Sequence, residues 1–219
     1  MPKQTFLKLK EEKKTLITNA FLTEFSLKTF DEASISTVVK QLGIAKGSVY
    51  QYFDNKMDLY LYLIECCQEK KMQYITPIQR QSYPDFWSYF ISLYEHGFHF
   101  DEKHPLESSF LHKLASNHSS PSMKDIYKDL LQQSITGFEK LVQHEIDLKL
   151  FRNDVSTEIM GFQLYKFGVG VQEYFEQKSL VNPIQSIEKG ESIFKERIPI
   201  LMEIVKEMIQ CIRPAFDKK

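Results

Sequence analysis

Residues 34–59, S-I-S-T-V-V-K-Q-L-G-I-A-K-G-S-V-Y-Q-Y-F-D-N-K-M-D-L, constrain the fold more than any other part of the chain. Ser34 is a favourable helix N-cap, because its hydroxyl can accept a hydrogen bond from an amide of the first turn. Gly43 predicts the end of that helix, since glycine readily takes the left-handed conformation that turns the chain. Between them, four apolar residues recur at helical spacing: Ile35, Val38, Val39 and Leu42.

A second short helix is predicted over residues 45–53, with Val49 and Phe53 on the same core as the first. Asn55 can cap a third helix that continues towards Pro77. Two helices joined by a tight glycine turn are typical of the helix-turn-helix, whose second helix lies in the major groove of DNA. An αα-corner inside an ordinary helical bundle would give the same pattern.

The run G-I-A-K-G-S-V-Y-Q-Y-F-D-N-K-M-D-L resembles the signature of the TetR family of bacterial transcriptional regulators. The similarity includes the glycine turn, the Lys-Gly-Ser start of the recognition helix, the Tyr-x-Tyr-Phe segment and Lys56. It covers about 45 residues at the N-terminus. The resemblance implies an all-α fold, with a three-helix helix-turn-helix DNA-binding domain over residues 1–54. A helical effector-binding and dimerisation domain would follow over residues 55–219.

The resemblance also implies which residues contact DNA. The recognition helix would present to base edges Ala45, Lys46, Ser48, Val49 and Tyr50. Phosphate contacts would come from Tyr52, Lys56, Ser34 and Ser36. Gly47 would let the backbone approach the DNA closely. Ala45 stands where Ser or Thr is common in the family, which removes one hydroxyl contact.

The distribution of basic residues agrees with this interpretation. Residues 1–56 contain nine lysines and six acidic residues, whereas the net charge of the whole chain is −1. All four arginines lie at or beyond residue 80, so the recognition helix lacks the bidentate arginine that most often reads guanine. Lys46 can still reach a guanine, while Ala45 and Val49 can meet thymine methyl groups. We therefore expect the contacted operator positions to be rich in A·T pairs.

Aromatic residues are concentrated in residues 83–100 and 162–175. Most such residues simply form the core of a protein. An apolar pocket with a few polar groups is nevertheless what a small-molecule site requires, and the family resemblance implies one among the central helices. A small apolar or aromatic effector is therefore expected, with seven candidate pocket residues: Trp87, Phe90, Tyr94, Phe110, Phe138, Phe162 and Tyr165.

The C-terminal segment carries a regular apolar seam. Its members follow alternating spacings of four and three: Phe194, Ile198, Leu201, Val205, Met208 and Ile212. Pro199 interrupts the pattern and predicts a kink or a new helix start there. Such a seam can pack within its own domain or against a second copy. Because the last two long helices form the dimer interface in the TetR family, we expect a homodimer through this seam.

Other functional classes have little support in the sequence. His96, His99 and His104 lie close together, but no cysteine joins them, so we predict neither a metal nor another cofactor. Motifs of phosphate loops, serine hydrolases, zinc proteases and dinucleotide-binding enzymes are absent, so no enzyme activity is expected.

The chain contains no apolar run of the roughly 20 residues that a membrane span needs. Residues 1–14 contain no apolar signal core either, so a cytoplasmic location is expected. The three cysteines are too few for a disulfide framework. The sequence thus predicts a ligand-responsive DNA-binding regulator, a repressor released from a palindromic operator by its effector. The alternative is a helical ligand carrier or protein-interaction module that does not act through DNA.

Overall fold

The computed structural model describes residues 1–116 and 120–218. These residues form eleven α-helices: α1 (Gln4–Leu7), α2 (Glu11–Leu27), α3 (Ile35–Leu42), α4 (Lys46–Tyr52), α5 (Lys56–Ile75), α6 (Phe86–Lys103), α7 (Pro105–Ser116), α8 (Lys124–Asp147), α9 (Thr157–Gln177), α10 (Pro183–Lys189) and α11 (Ile198–Ile212). The predicted all-α fold is confirmed, since the described residues form no strand. None of the described helices has the length and apolarity needed to cross a bilayer.

The short helices α1 and α10 were not predicted from the sequence. The predicted restart at Pro199 is confirmed, because α11 begins at Ile198 and holds this proline in its first turn. Proline is tolerated there because the first amides of a helix have no intrahelical acceptor to lose. Phe194 consequently precedes the helix instead of opening it.

The described chain divides into two compact units, each assembled from separate segments. The first contains Met1–Thr76, His99–Ser122 and Pro183–Ile193, and the second contains Pro77–Phe98, Met123–Asn182 and Phe194–Lys219. The long α5 therefore packs with the N-terminal helices, although the predicted domain boundary lies before it. Helix α6 is continuous through residue 98, so its two ends belong to different units.

The first unit is built around the buried ring of Tyr60 on α5, which is 2% exposed. Its centroid lies 4.8 Å from that of Phe25 on α2, 5.1 Å from Phe30 in the following loop and 5.3 Å from Phe110 on α7. Edge-to-face contacts of this kind add to the free energy gained by burying the rings. One side chain thereby joins two helices and a loop to α5.

A later part of the chain also completes the first unit. Helix α10 packs on α2 and α7. The fully buried carboxylate of Asp101 accepts hydrogen bonds from the Ser192 hydroxyl and from the Ile193 amide, 3.3 Å away. A buried carboxylate needs such donors because losing hydration without compensation is costly. Asp101 therefore holds the segment after α10 in place.

In the second unit, α8 and α9 form the most extensive helix pair. Gly161 on α9 allows this approach, because a Cβ atom there would lie 2.9 Å from both the backbone nitrogen and the Cγ of Glu139. Gly170, on the same helix, has open space around the corresponding position. Of these two glycines, only Gly161 is required by packing.

A buried ion pair and an aromatic group close the second unit. The Arg80 guanidinium donates to both carboxylate oxygens of Glu145, at 2.6 and 2.9 Å. Trp87 packs against Phe151 and Phe216, and its indole donates to Asp217 at 2.7 Å. The ion pair joins Arg80 to the end of α8, and Trp87 joins the C-terminal residues to α6.

Replacing Gly161 with alanine is expected to lower the free energy of unfolding by about 1–3 kcal/mol, because the added methyl group overpacks the α8–α9 contact. Gly170→Ala is the matched control, and should raise it by up to about 1 kcal/mol through helix propensity. Urea unfolding followed by circular dichroism measures both. Equal effects of the two substitutions would contradict the proposed role of Gly161.

Candidate nucleic-acid interface

The turn between α3 and α4 has the geometry that the sequence predicted. Gly43 has φ 65° and ψ 26°, in the left-handed region. The Ile44 amide donates to the Val39 carbonyl at 3.1 Å, and the Gly43 amide donates to the Lys40 carbonyl at 3.3 Å. These bonds satisfy carbonyls that a helix end otherwise leaves without partners. The turn thus fixes the direction in which α4 leaves α3.

Ser34 has a structural role at the start of α3. Its hydroxyl accepts a hydrogen bond from the Thr37 amide at 3.3 Å, and its own amide donates to Glu24 at 2.9 Å. Glu24 is only 8% exposed, and Lys28 pairs with it at 2.8 Å. Ser36 is exposed in the first turn of α3. Both serines stay predicted phosphate contacts, but the Ser34 hydroxyl also caps the helix.

One face of α4 is exposed. Lys46, Gly47, Tyr50 and Gln51 lie on it at helical spacing, and Tyr50 is 43% exposed. Ala45 is exposed at the N-cap position, and Ser48 is half-buried beside it. This face brings together an ammonium, a phenol, an amide and a hydroxyl. Such groups can donate to base edges and phosphates.

The predicted base contact of Val49 is wrong, because its side chain is 1% exposed. Val49 lies in the core with Val38 and Phe53, which are 0% and 1% exposed. Tyr52 is also buried, and its ring centroid lies 5.7 Å from that of Phe6 on α1. A phosphate contact through Tyr52 stays a prediction that would use only the small exposed part of this residue.

Lys56 is half-buried at the start of α5 and contacts the loop before α3. Its ammonium lies 3.4 Å from the Asp31 carbonyl oxygen and 4.7 Å from the centroid of Phe30. Burial lowers the pKa of the Lys56 ammonium, and the nearby carboxylates of Asp31 and Glu24 partly oppose this shift. Its phosphate contact stays a prediction, and the structure adds a role in holding the loop.

Sequence reasoning did not include Gln51 among the candidate DNA contacts. Gln51 is exposed on the same face as Lys46 and Tyr50, and glutamine can bond adenine through two hydrogen bonds. The sequence could have indicated this position, because Gln51 lies one helical turn after Gly47. The contact between α1 and α4 was not predicted either. The only signal for it is the single buried residue of this short helix, Phe6.

The structure brings only some of the predicted pocket residues together. Phe90 lies at the centre of a ring cluster in the second unit, with centroids 5.6 Å from Tyr94, 6.2 Å from Phe138 and 5.8 Å from Phe167. Phe167 was not predicted. Trp87 borders this cluster, 6.4 Å from Phe90. Burial raises the pKa of the Tyr94 phenol, so this hydroxyl stays protonated.

Other predicted pocket residues lie elsewhere. Phe110 belongs to the first unit, where it packs on Tyr60, so the structure does not bring this predicted pocket residue together with the ring cluster. Phe162 is 39% exposed on α9, one turn from the exposed Ile159. Tyr165 is half-buried on the same helix. A pocket role for Phe162 and Tyr165 stays a prediction.

The C-terminal seam packs mostly within its own chain. Leu201 and Val205 are both 0% exposed, and Phe194 is 9% exposed. Leu201 and Val205 have no surface left for a second copy, so their part of the predicted dimer interface is wrong. A dimer contact through Phe194 stays a prediction that would use only its small exposed part. Ile198, Met208 and Ile212 are half-buried on α11 and stay candidates. The regular spacing identified a buried stripe, whereas the exposed residues of α11 lie beside it.

The three neighbouring histidines have separate partners. His96 lies 2.8 Å from the Ser92 carbonyl oxygen, His99 lies 3.3 Å from Glu102, and His104 lies 3.2 Å from the Tyr74 hydroxyl. Among the residues that the structure describes, no group of three or more histidine, cysteine or acidic side chains is arranged to hold a metal ion.

Known proteins resemble this chain in sequence. Residues 17–63 match the family model described as bacterial regulatory proteins of the tetR family. The negative transcriptional regulator IcaR of the icaADBC biofilm operon, from Staphylococcus aureus (strain Newman), is 24% identical over 88% of this chain and 97% of its own. The uncharacterised HTH-type transcriptional regulator YvdT from Bacillus subtilis (strain 168) is 30% identical over 67% of this chain and 71% of its own.

A solved structure gives the same assignment over the whole length. A TetR family transcriptional regulator from Chloroflexus aurantiacus J-10-FL is 26% identical and has a TM-score of 0.79, with 100% of both chains covered. The matched segment 17–63 contains the glycine turn, α4 and the start of α5. The chain therefore belongs to the TetR family of bacterial transcriptional regulators.

Proposed function

We propose that this regulator is a homodimeric repressor that binds a palindromic operator through α4 and leaves it when a small apolar or aromatic molecule binds the second unit. The observation that carries the DNA-binding part is the exposed face of α4 with Lys46 and Tyr50. We expect the protein to act in the cytoplasm, where the operator is.

Base recognition would be divided among the exposed side chains of α4. Lys46 at the first turn can donate to a guanine or a phosphate, and Gln51 can bond an adenine. Tyr50 offers a ring edge and a hydroxyl. With Val49 buried, Ala45 is the remaining candidate for a thymine methyl contact. The absence of arginine before residue 80 still favours A·T pairs at the contacted positions.

Replacing Lys46 with glutamine, or Tyr50 with alanine, is expected to weaken operator binding by about 1–3 kcal/mol, which is roughly fivefold to 150-fold. The operator would first be selected from a randomised duplex library with the unaltered protein. Dissociation constants would then be measured by fluorescence anisotropy at several salt concentrations. The contacted positions of the selected sites should be rich in A·T pairs.

Lys140→Gln is the matched control, because it removes an exposed lysine of α8 in the other unit. It should leave the dissociation constant unchanged. Operator binding that is as tight in the Lys46 and Tyr50 variants as in the control would reject α4 as the reading helix. Failure of the unaltered protein to select any duplex would instead favour a ligand carrier or interaction module.

The effector would bind at the ring cluster of Phe90, Tyr94, Phe138 and Phe167. Aromatic side chains provide a large apolar surface, and the Tyr94 hydroxyl provides a polar group that can orient a ligand. Gly168 lies beside this hydroxyl, since a Cβ atom there would be 3.7 Å from it. A molecule inserted among these rings would have to separate α6 from its neighbours in the second unit.

Helix α6 provides a route from this cluster to the first unit, because it is continuous. Phe90 and Tyr94 lie in its first half, whereas Phe100 near its end packs on Tyr74 of α5, 5.6 Å between centroids. His104, just after α6, lies 3.2 Å from the Tyr74 hydroxyl. A shift of α6 along its axis would therefore be passed to α5, whose first turn adjoins α4. A ligand preference of about 1–3 kcal/mol between two such positions is enough to change operator affinity fivefold to 150-fold.

Gly168→Leu is expected to abolish the response to effector, because the added side chain would fill the space beside the Tyr94 hydroxyl. A panel of small apolar and aromatic compounds would be screened for release of fluorescent operator from the unaltered protein. Active compounds would then be tested on Gly168→Leu and on the control Gly170→Leu, a position with open space. An unchanged response in Gly168→Leu, with operator binding retained, would place the effector elsewhere.

Dimerisation would use the outer sides of α9 and α11, which contact each other in the second unit. Ile159 and Phe162 on α9 are 56% and 39% exposed, and Ile200 on α11 is 56% exposed. Ile204 and Met208 are half-buried beside Ile200. Clustered exposed apolar side chains favour association, because burying them against a second copy removes them from water.

Replacing Ile200 with glutamate is expected to convert the dimer to a monomer at micromolar concentration, because the carboxylate would be buried in an apolar interface. Sedimentation velocity measures the oligomeric state, and operator affinity should fall with it. Ile184→Glu is the matched control, since Ile184 on α10 is 60% exposed but lies outside the α9 and α11 surface. A dimer that survives Ile200→Glu and Phe162→Glu would contradict this interface.

A further inference from the structure

The recognition helix α4 has only seven residues, and its C-terminal end depends on other parts of the chain. Helices this short are unstable alone in water. The last four carbonyl groups of any helix lack intrahelical donors, and leaving them without partners costs stability. In α4 these are the carbonyls of residues 49–52, beneath the side chains of Tyr50 and Gln51.

All four carbonyl groups of this end have donors, and three of the donors come from residues 3–5. The Lys3 ammonium donates to the Tyr50 carbonyl at 2.9 Å, and the Lys3 amide donates to the Tyr52 carbonyl at 2.8 Å. The Thr5 hydroxyl donates to the Gln51 carbonyl. The remaining carbonyl, of Val49, accepts from the Phe53 amide at 2.8 Å.

An aromatic contact holds this segment in place. Phe6 on α1 is 0% exposed, and its ring centroid lies 5.7 Å from Tyr52, 4.9 Å from Phe53 and 5.5 Å from Tyr62 on α5. Helix α1 packs on α4. Phe6 therefore fixes α1 against the junction between α4 and α5, which brings Lys3 and Thr5 to the carbonyl groups.

Charge also favours Lys3 at this end. The C-terminus of a helix carries a partial negative charge, so a nearby ammonium stabilises it. The same ammonium lies 2.7 Å from the Asp54 carboxylate, just after α4. The hydrogen bond and charge of Lys3 lower the pKa of Asp54. Lys3 thus joins the last turn of α4 to Asp54 in the loop between α4 and α5.

We propose that residues 3–7, here called the N-terminal clamp, position the recognition helix, and that Lys3 and Thr5 set operator affinity by orienting Tyr50 and Gln51 without contacting DNA themselves. The predicted effect of the clamp on operator binding rests on the proposed function. Its effect on α4 can be measured in the protein without DNA.

The competing role for Lys3 is a direct phosphate contact, because its side chain is 40% exposed. The two roles differ in their dependence on salt. Removing one phosphate contact reduces the slope of log affinity against log salt concentration by about 0.9. Removing a positioning residue weakens binding but leaves the number of phosphate contacts, and hence the slope, unchanged.

The test uses the full chain with Lys3→Met, Thr5→Val and the conservative Lys3→Arg. Lys8→Met is the control, because Lys8 is an exposed lysine just after α1. Hydrogen exchange of the free protein, measured by mass spectrometry, reports opening of α4. Operator affinity is measured over a range of salt concentrations, and circular dichroism checks that each variant is folded.

Lys3→Met and Thr5→Val are expected to speed exchange across residues 50–53 and to weaken operator binding about threefold to tenfold, as for the loss of one hydrogen bond. The salt slope should not change. Lys3→Arg should keep both the exchange rates and the operator affinity close to those of the unaltered protein. In Lys8→Met, exchange in α4 should be unaffected. Faster exchange in the clamp variants alone supports the clamp even if the unaltered protein binds no operator, an outcome that would reject only the proposed function.

Two results would overturn the proposal. The first is unchanged exchange in α4 for both Lys3→Met and Thr5→Val. The second is weaker binding in Lys3→Met with a shallower salt slope and no change in Thr5→Val, which would make Lys3 a phosphate ligand.

Discussion

The buried ring of Tyr60 is the contact on which the DNA-reading part of this regulator depends. Its neighbours Phe25, Phe30 and Phe110 come from three separate parts of the chain. Helices α3 and α4 are too short to be stable alone, so their position follows from that of α2 and α5, which Tyr60 joins. Lys56 extends the same arrangement to the surface by lying over Phe30.

A short recognition helix held by its surroundings has a physical advantage for reading DNA. Each end of α4 is fixed by backbone contacts, through Gly43 at one end and Lys3 at the other. The exposed side chains between these ends do not contribute to holding the helix, so they can vary to suit an operator without loss of fold. Val49 and Tyr52 lack this freedom because they are buried.

The features that could be predicted from the sequence are those encoded by local chemistry. The turn after α3 requires a left-handed residue, and Gly43 provides it. Ser34 and Asn55 accept hydrogen bonds from Thr37 and Asp58, as helix caps do. Long helices showed their apolar period over several turns. Helices α1 and α10 showed no such period, because four and seven residues span two turns or less and their stability comes from contacts distant in sequence.

The sites were harder to predict than the fold, because periodicity identifies an apolar stripe without identifying what covers it. Leu201 and Val205 belong to a regular seam, yet their own chain buries them. Phe110 is aromatic like Phe90, but it packs on Tyr60 in the other unit. For Val49, family position and apolar character pointed to different roles, and burial decided in favour of the core.

The discontinuity of the first unit has a consequence for how such regulators can be recombined. A hybrid that transplants only residues 1–76 would leave behind Phe110, the partner of Tyr60, and the segment that Asp101 holds after α10. The transplanted helices would then expose an apolar surface that normally faces α7. Exchange of operator specificity between relatives should therefore succeed more readily by grafting the outward side chains of α4 than by swapping an N-terminal fragment.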